Sequence, residues 1–156
     1  MIEEATTATV RRSVTVQAPP ERAFEVFTAG MASWWPMDSH HIGETMAVEI
    51  VMEPRAGGRW GERDADGNEC EWGFVTAWDP PHRVVLAWHL TPQYEFDPDP
   101  GRSTEIEVRF TPRDGGTLVE LEHRGFEKHE TGPRIREGVS GPGGWADLLR
   151  MYAETF

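Results

Sequence analysis

The chain reads as an α+β domain in which a curved antiparallel sheet wraps around a long C-terminal helix, and three features of the sequence predict it. Trp145, Leu148, Leu149 and Tyr152 recur at i, i+3, i+4 and i+7, with Asp147, Arg150 and Glu154 off that face, which is the spacing of an amphipathic helix. Between residues 46 and 124 apolar and polar residues alternate in short segments separated by Gly, Pro and Asp turns, the pattern of antiparallel strands. Only one short region near the start, after the first strand, also carries helical signals, so the economical arrangement is a sheet closed on the terminal helix.

Taken in order, residues 10–17 alternate around Val10, Val14 and Val16 and stop at Ala18-Pro19-Pro20, because proline cannot extend a ladder. Pro20 suits a first helical turn, Glu21 and Glu25 suit the early turns, and Ala23, Phe24, Val26 and Phe27 supply an apolar side. Gly30 breaks this helix, a second short helical turn over 31–35 is closed by Pro36, and 37–45, with His40, His41 and Gly43, is loop. Strands follow at 46–54, 59–63, 69–78 and 83–90. In 69–78 strict alternation places Cys70, Trp72, Phe74, Thr76 and Trp78 on one face. Both faces of 83–90 are apolar, which predicts a central strand. Residues 91–102, with Tyr94, Phe96 and three prolines, form the longest irregular piece, and loops of this length are commonly functional. Two more strands, around Ile106 and Val108 and around Val119, Leu121 and His123, flank the turn Asp114-Gly115-Gly116. Residues 125–139 read as polar linker with some helical character. Gly141-Pro142-Gly143-Gly144 lead into the last helix, over 143–156, with Ser140 as its N-cap.

At 156 residues the chain fits one domain, with 1–9 as a flexible tail. No apolar run approaches the ~20 residues of a membrane span. Glu3 and Glu4 stand where a secretory leader would be basic, and no apolar stretch follows, so a cytoplasmic location is expected. Lys and Arg total 15 against 27 Asp and Glu, a net charge of −12, which repels phosphate backbones and anionic headgroups; neither nucleic acid nor membrane is an expected partner. Cys70 is the only cysteine, so no intrachain disulfide exists, and its ordinary reading is a small half-buried strand residue.

Five sequence pieces in this order also carry a family resemblance. They are Pro19-Pro20-Glu21-Arg22-Ala23-Phe24, Trp34-Trp35-Pro36, Glu53-Pro54-Arg55-Ala56-Gly57-Gly58-Arg59-Trp60, Trp78-Asp79-Pro80-Pro81-His82-Arg83-Val84-Val85 and Glu122-His123-Arg124-Gly125-Phe126. Together, from about 10 to 156, they resemble the activator-of-heat-shock-protein-90-ATPase-homologue branch of the START-like (SRPBCC) superfamily. The resemblance implies a helix-grip fold, with two short helices after the first strand and an apolar cavity between sheet and terminal helix. It implies little about reaction, because a fold does not fix a function.

Seven tryptophans are the compositional oddity, and a cluster of them points to a packed core, an aromatic-lined pocket, or both. Trp35, Trp60, Trp72, Phe74, Trp88, Trp145, Leu149 and Tyr152, with His123, lie on elements that would line the groove between sheet and helix. A sheet packed on a helix needs such residues even without a ligand. Glu62 shares strand parity with Trp60, and His123 with Val119 and Leu121; a buried carboxylate near an imidazole could move protons, although the more ordinary reading is that each bonds a neighbouring polar group or a buried water. His40 and His41 are adjacent and cannot chelate one ion in the helical i, i+4 manner, and His123 and His129 lack a third ligand, so no metal or other cofactor is expected and the loop histidines read as solvated. The acidic pairs Glu69/Glu71, Glu105/Glu107 and Glu120/Glu122 read as solvated strand faces.

The leading expectation is a binding module for a small apolar or aromatic molecule, a carrier or sensor with stress response in view, gated by 91–102 and the approach to the last helix. A cofactor-independent enzyme of polyketide cyclase type, with Glu62 and His123 as proton donor and acceptor, is the second reading. The third, a chaperone ATPase co-regulator, comes from the resemblance alone. A homodimer through an exposed strand or the tryptophan-rich loop is compatible with the sequence, but no residue pattern requires it.

Overall fold

The computed structural model describes residues 7–128 and 130–156; His129 and most of the expected N-terminal tail lie outside them. Seven strands form one antiparallel sheet: β1 (Val10–Val16), β2 (Ala47–Met52), β3 (Arg59–Asp64), β4 (Glu69–Asp79), β5 (Arg83–Trp88), β6 (Thr104–Arg113) and β7 (Gly116–Arg124). Their order is β1-β7-β6-β5-β4-β3-β2, so β2 to β7 meander and β1 returns to pair with β7. The crossing from β1 at one edge to β2 at the other holds α1 (Pro20–Phe27) and a 3-10 turn, Met31–Ser33. Buried Phe24 and Phe27 of α1 meet Phe110 of β6 edge-on, at 5.2 and 5.9 Å.

The C-terminal helical segment comes in two pieces, α2 (Gly132–Ser140) and α3 (Trp145–Ala153). The stretch expected as linker is thus largely helix, and it buries Ile135 and Val139. Ser140 does not cap α3; its hydroxyl turns back to the Arg136 carbonyl at 2.6 Å, and Asp147 instead accepts from the Gly143 N–H at 2.7 Å. Gly143 has φ +77°, and a Cβ on Gly144 would stand 2.2 Å from the Val139 carbonyl oxygen, so this break needs its glycines. The sheet curls around α3, whose Trp145, Leu148, Leu149 and Tyr152 are all buried. The Tyr152 hydroxyl donates to the Ala23 carbonyl at 2.7 Å, tying α3 to α1, and burial pushes that phenol's pKa up. The arrangement is the helix-grip fold, and no described helix is long and apolar enough to cross a membrane.

Two β-bulges in β4 alter what simple alternation predicts. Trp60 pairs with Gly73 and Gly61 with Glu71, leaving Trp72 as an extra residue; Val75 pairs with Leu86 and Ala77 with Val85, leaving Thr76 extra. Each inserted residue reverses the in/out parity. Phe74 is thereby moved off the face of Trp72 and packs with His89 and Phe96 on the outer side, at 5.3 and 6.3 Å, while Trp78 returns inside against Phe24 at 5.0 Å.

The outer face is also more ordered than a row of solvated acids. Glu107 is 6% exposed and accepts from Arg83 at 2.7 Å, Arg109 at 3.1 and 3.2 Å, and Arg124 at 2.7 Å. Arg124 also bonds Glu105 and Glu122. Burial pushes the Glu107 carboxyl up, but bonds from Arg124 and Arg83 outweigh it and hold its pKa below the ordinary value. The expected solvated face is in this part a buried ion network, because three guanidinium groups close over the one carboxylate.

Candidate functional site

A cavity of about 250 Å³ lies between β4, β5, the 35–42 segment and the α2–α3 junction, just below the usual size of small-molecule pockets, roughly 300–1,000 Å³. Trp35, Trp72, Trp88 and Trp145 form its walls, with Leu90, Val139 and Leu148. Ser39, Tyr94, Gly138 and Pro142, its exposed lining residues, mark the mouth. Each tryptophan comes from a different element, and their positions follow from local structure. The 3-10 turn directs Trp34 toward Phe27 and Tyr152 and leaves Trp35 facing Trp72, ring centroids 5.1 Å apart. The bulge that displaces Phe74 sets Trp72 beside the bare backbone of Gly73, where a Cβ would lie 1.7 Å from the Ala87 carbonyl oxygen.

Three of the four indole N–H groups are taken up by the protein. Trp35 donates to the His40 carbonyl at 2.9 Å, Trp72 to Glu62 Oε1 at 2.8 Å and Trp145 to His123 Nδ1 at 3.0 Å. The Trp88 N–H is buried without a partner. The walls therefore offer ring surface, and polar groups concentrate at the rim.

Glu62 and His123, the sequence's proton-transfer pair, stand behind the walls and do not line the cavity. Glu62 is 2% exposed; besides Trp72, its carboxylate accepts from the backbone N–H of Ile42 at 2.6 Å and of Gly43 at 3.3 Å. His123 is fully buried. Since the Trp145 indole can only donate, His123 Nδ1 holds a lone pair, and Nε2 carries the proton it shares with Thr104 Oγ1 at 2.7 Å. Rings of Phe126 and Trp88 lie 4.7 and 5.3 Å away, and burial pushes the imidazole pKa down to about 3. The hydrogen-bond partners of the two residues do not overlap, and both ring nitrogens of His123 are committed. What the pair does in this geometry is to fix two wall tryptophans.

Of the other expected lining residues, Trp60 lies behind Trp72 and Trp88, at 5.4 and 6.1 Å, with its own N–H unpartnered. Leu149 faces β1, beside Arg12 and Val14; Leu148 takes the cavity side instead. Tyr152 sits deeper, against Phe27 and Trp34. His40 and His41, read as solvated, are half-buried cavity residues. His40 Nε2 donates to the Gly143 carbonyl at 2.8 Å and its Nδ1 accepts from Ser39 at 2.8 Å, joining the mouth to the helix break. The sequence signal was their place directly after the Trp34-Trp35-Pro36 turn. Cys70 lies near Glu62; burial first, then the Glu62 and Asp64 charges, push its thiol pKa up, away from reactivity. Among the described residues no three His, Cys, Asp or Glu side chains group as metal ligands.

Fold and cavity together define a START-like domain with an aromatic-walled interior. The family model described as activator of Hsp90 ATPase homolog 1-like protein matches residues 17–154, and the chain belongs to that family. No curated protein matches. Among solved structures, the chain is similar to an anthrahydroquino-γ-pyrone synthase, Txn09, at 38% identity and TM-score 0.67, covering 99% of this chain and 100% of that one. It is also similar to CalC, a self-sacrificing resistance protein from Micromonospora echinospora, at 31% identity and TM-score 0.70, covering 96% and 94%. The dimeric Aha1 of Colwellia psychrerythraea shares the fold at 16% identity and TM-score 0.61, covering 95% of each chain.

Proposed function

We propose that this protein binds a flat, largely apolar, polycyclic aromatic molecule of the aromatic polyketide kind in the tryptophan-walled cavity. The observation that carries this reading is the set of four tryptophans whose N–H groups, Trp88 aside, are turned to protein partners. Such walls reward stacking and edge contacts with an aromatic guest, each worth about 0.5–1.5 kcal/mol beyond area burial. The name of the 38%-identical structure, an anthrahydroquino-γ-pyrone synthase, supports a guest of this class.

Titration with anthraquinone, followed by tryptophan fluorescence and native mass spectrometry, is expected to give a 1:1 complex with quenched emission. Replacing Trp72 with alanine should weaken it at least about tenfold, by loss of one stacking wall. Absence of quenching across a panel of tricyclic and tetracyclic quinones would end this reading.

The second reading is a cofactor-independent ring-closing enzyme, favoured by identity to the synthase along the whole chain. It predicts turnover of an acyclic or partly cyclised aromatic precursor by purified protein without additives. Glu62 and His123 enter this reading as the residues that hold Trp72 and Trp145.

A further inference from the structure

We infer that His41 is the polar anchor of the cavity and that it selects guests carrying a free phenolic hydroxyl; this rests on the aromatic-guest reading above. His41 lines the cavity at its polar rim. Its Nδ1 lies 2.9 Å from the Gly43 carbonyl oxygen, which can only accept, so Nδ1 carries the hydrogen and Nε2 of the neutral ring keeps its lone pair. No described residue bonds Nε2. The other rim imidazole differs, because both nitrogens of His40 are engaged, by Ser39 and by the Gly143 carbonyl. His41 is therefore the rim imidazole with an unused acceptor.

The segment that carries it is held in place. The backbone N–H groups of Ile42 and Gly43, immediately after His41, both donate to the buried Glu62 carboxylate, and the Trp35 indole donates to the His40 carbonyl just before it. An imidazole lone pair on a residue that lines an aromatic-walled cavity is suited to an acidic hydroxyl on an aromatic ring. The guest O–H donates to Nε2 and can pass its proton there. The O–H bond breaks, an N–H bond forms, the oxygen keeps the electron pair as phenolate, and the resulting imidazolium still donates through Nδ1 to Gly43. An alcohol on a saturated carbon is far too weak an acid for that transfer, and a methyl ether has no proton to give.

The test compares 2-hydroxyanthraquinone, 2-methoxyanthraquinone and anthraquinone on wild-type protein, His41→Phe and His41→Gln, each variant checked for fold by circular dichroism. Wild type should prefer the hydroxy compound over the methoxy compound about tenfold, the worth of one well-placed hydrogen bond, and should show the red-shifted phenolate absorption in the complex. His41→Phe should bind all three compounds alike. His41→Gln, which keeps an acceptor oxygen but no base, should retain part of the preference and lose the phenolate band. An equal preference in wild type and His41→Phe, or none in wild type, overturns the assignment while leaving the aromatic cavity intact. Failure of all three compounds to bind any form overturns the cavity reading along with it.

Discussion

The state of His123 can be tested through the pH dependence of folding. Its ordinary pKa of 6.5 falls to about 3 in the folded protein, because the ring is buried among Trp88, Phe126 and Trp145 and contacts only the neutral polar groups of Thr104 and Trp145. Protonation would also place a second N–H against the Trp145 N–H. The folded pKa lies below the unfolded one, so the stability is fully present above pH 6.5 and is lost as pH falls through the window toward 3. Between pH 7.5 and 5 the unfolded chain takes up nearly one proton here and the folded chain none, a loss of about 2 kcal/mol; the whole window is worth about 5 kcal/mol. Denaturant unfolding at the two pH values, on wild type and His123→Gln, isolates this contribution because every other titrating group is shared. The wild-type loss should exceed the variant's by about 2 kcal/mol. Equal losses in both proteins would show that His123 is not held neutral by its surroundings, and the tautomer assigned to it would fall too.

Other substitutions test the framework of the cavity. Glu62→Gln leaves one carbonyl oxygen for three N–H donors and should cost about 2–4 kcal/mol, lowering the thermal midpoint by about 2–4 °C per kcal/mol; a midpoint within a degree of wild type would contradict the three-donor geometry. Gly73→Ala forces a methyl group onto the Ala87 backbone carbonyl, which cannot swing aside as a side chain could, and should cost more than about 3 kcal/mol in denaturant titrations. An unchanged midpoint there would mean that the bulge is misplaced. Tyr94 is 49% exposed at the mouth, so Tyr94→Ala should leave stability within about 0.5 kcal/mol while speeding release of a bound anthraquinone several-fold in stopped-flow fluorescence. Unaltered release would remove Tyr94 from any gating role.

Much of the architecture was readable because periodicity is a local property. The spacing of Trp145, Leu148, Leu149 and Tyr152 places all four against the sheet, and the hairpin at Asp114-Gly115-Gly116 sets the register of β6 and β7. What alternation could not supply was the phase change inside β4. A bulge adds one residue without altering composition, and nothing in Trp72-Gly73-Phe74 announces it except the glycine. For the same reason Phe74 was expected inside and lies outside. Hydrogen-bond choices are equally non-local. Glu62 and His123 were legible as buried polar residues, but their partners, Ile42, Gly43 and Thr104, are brought to them only by folding. His41 differs: its partner, the Gly43 carbonyl, is only two residues away, but which ring nitrogen meets it depends on the loop's folded conformation.

One carboxylate, Glu62, grips both the Trp72 indole and the Ile42–Gly43 backbone. Wall and doorway are in consequence a single mechanical piece, and neither can be recut without disturbing the other. Related proteins that accept differently shaped molecules should then differ in correlated blocks around this joint rather than at scattered contact positions, and redesign of the chamber would begin there.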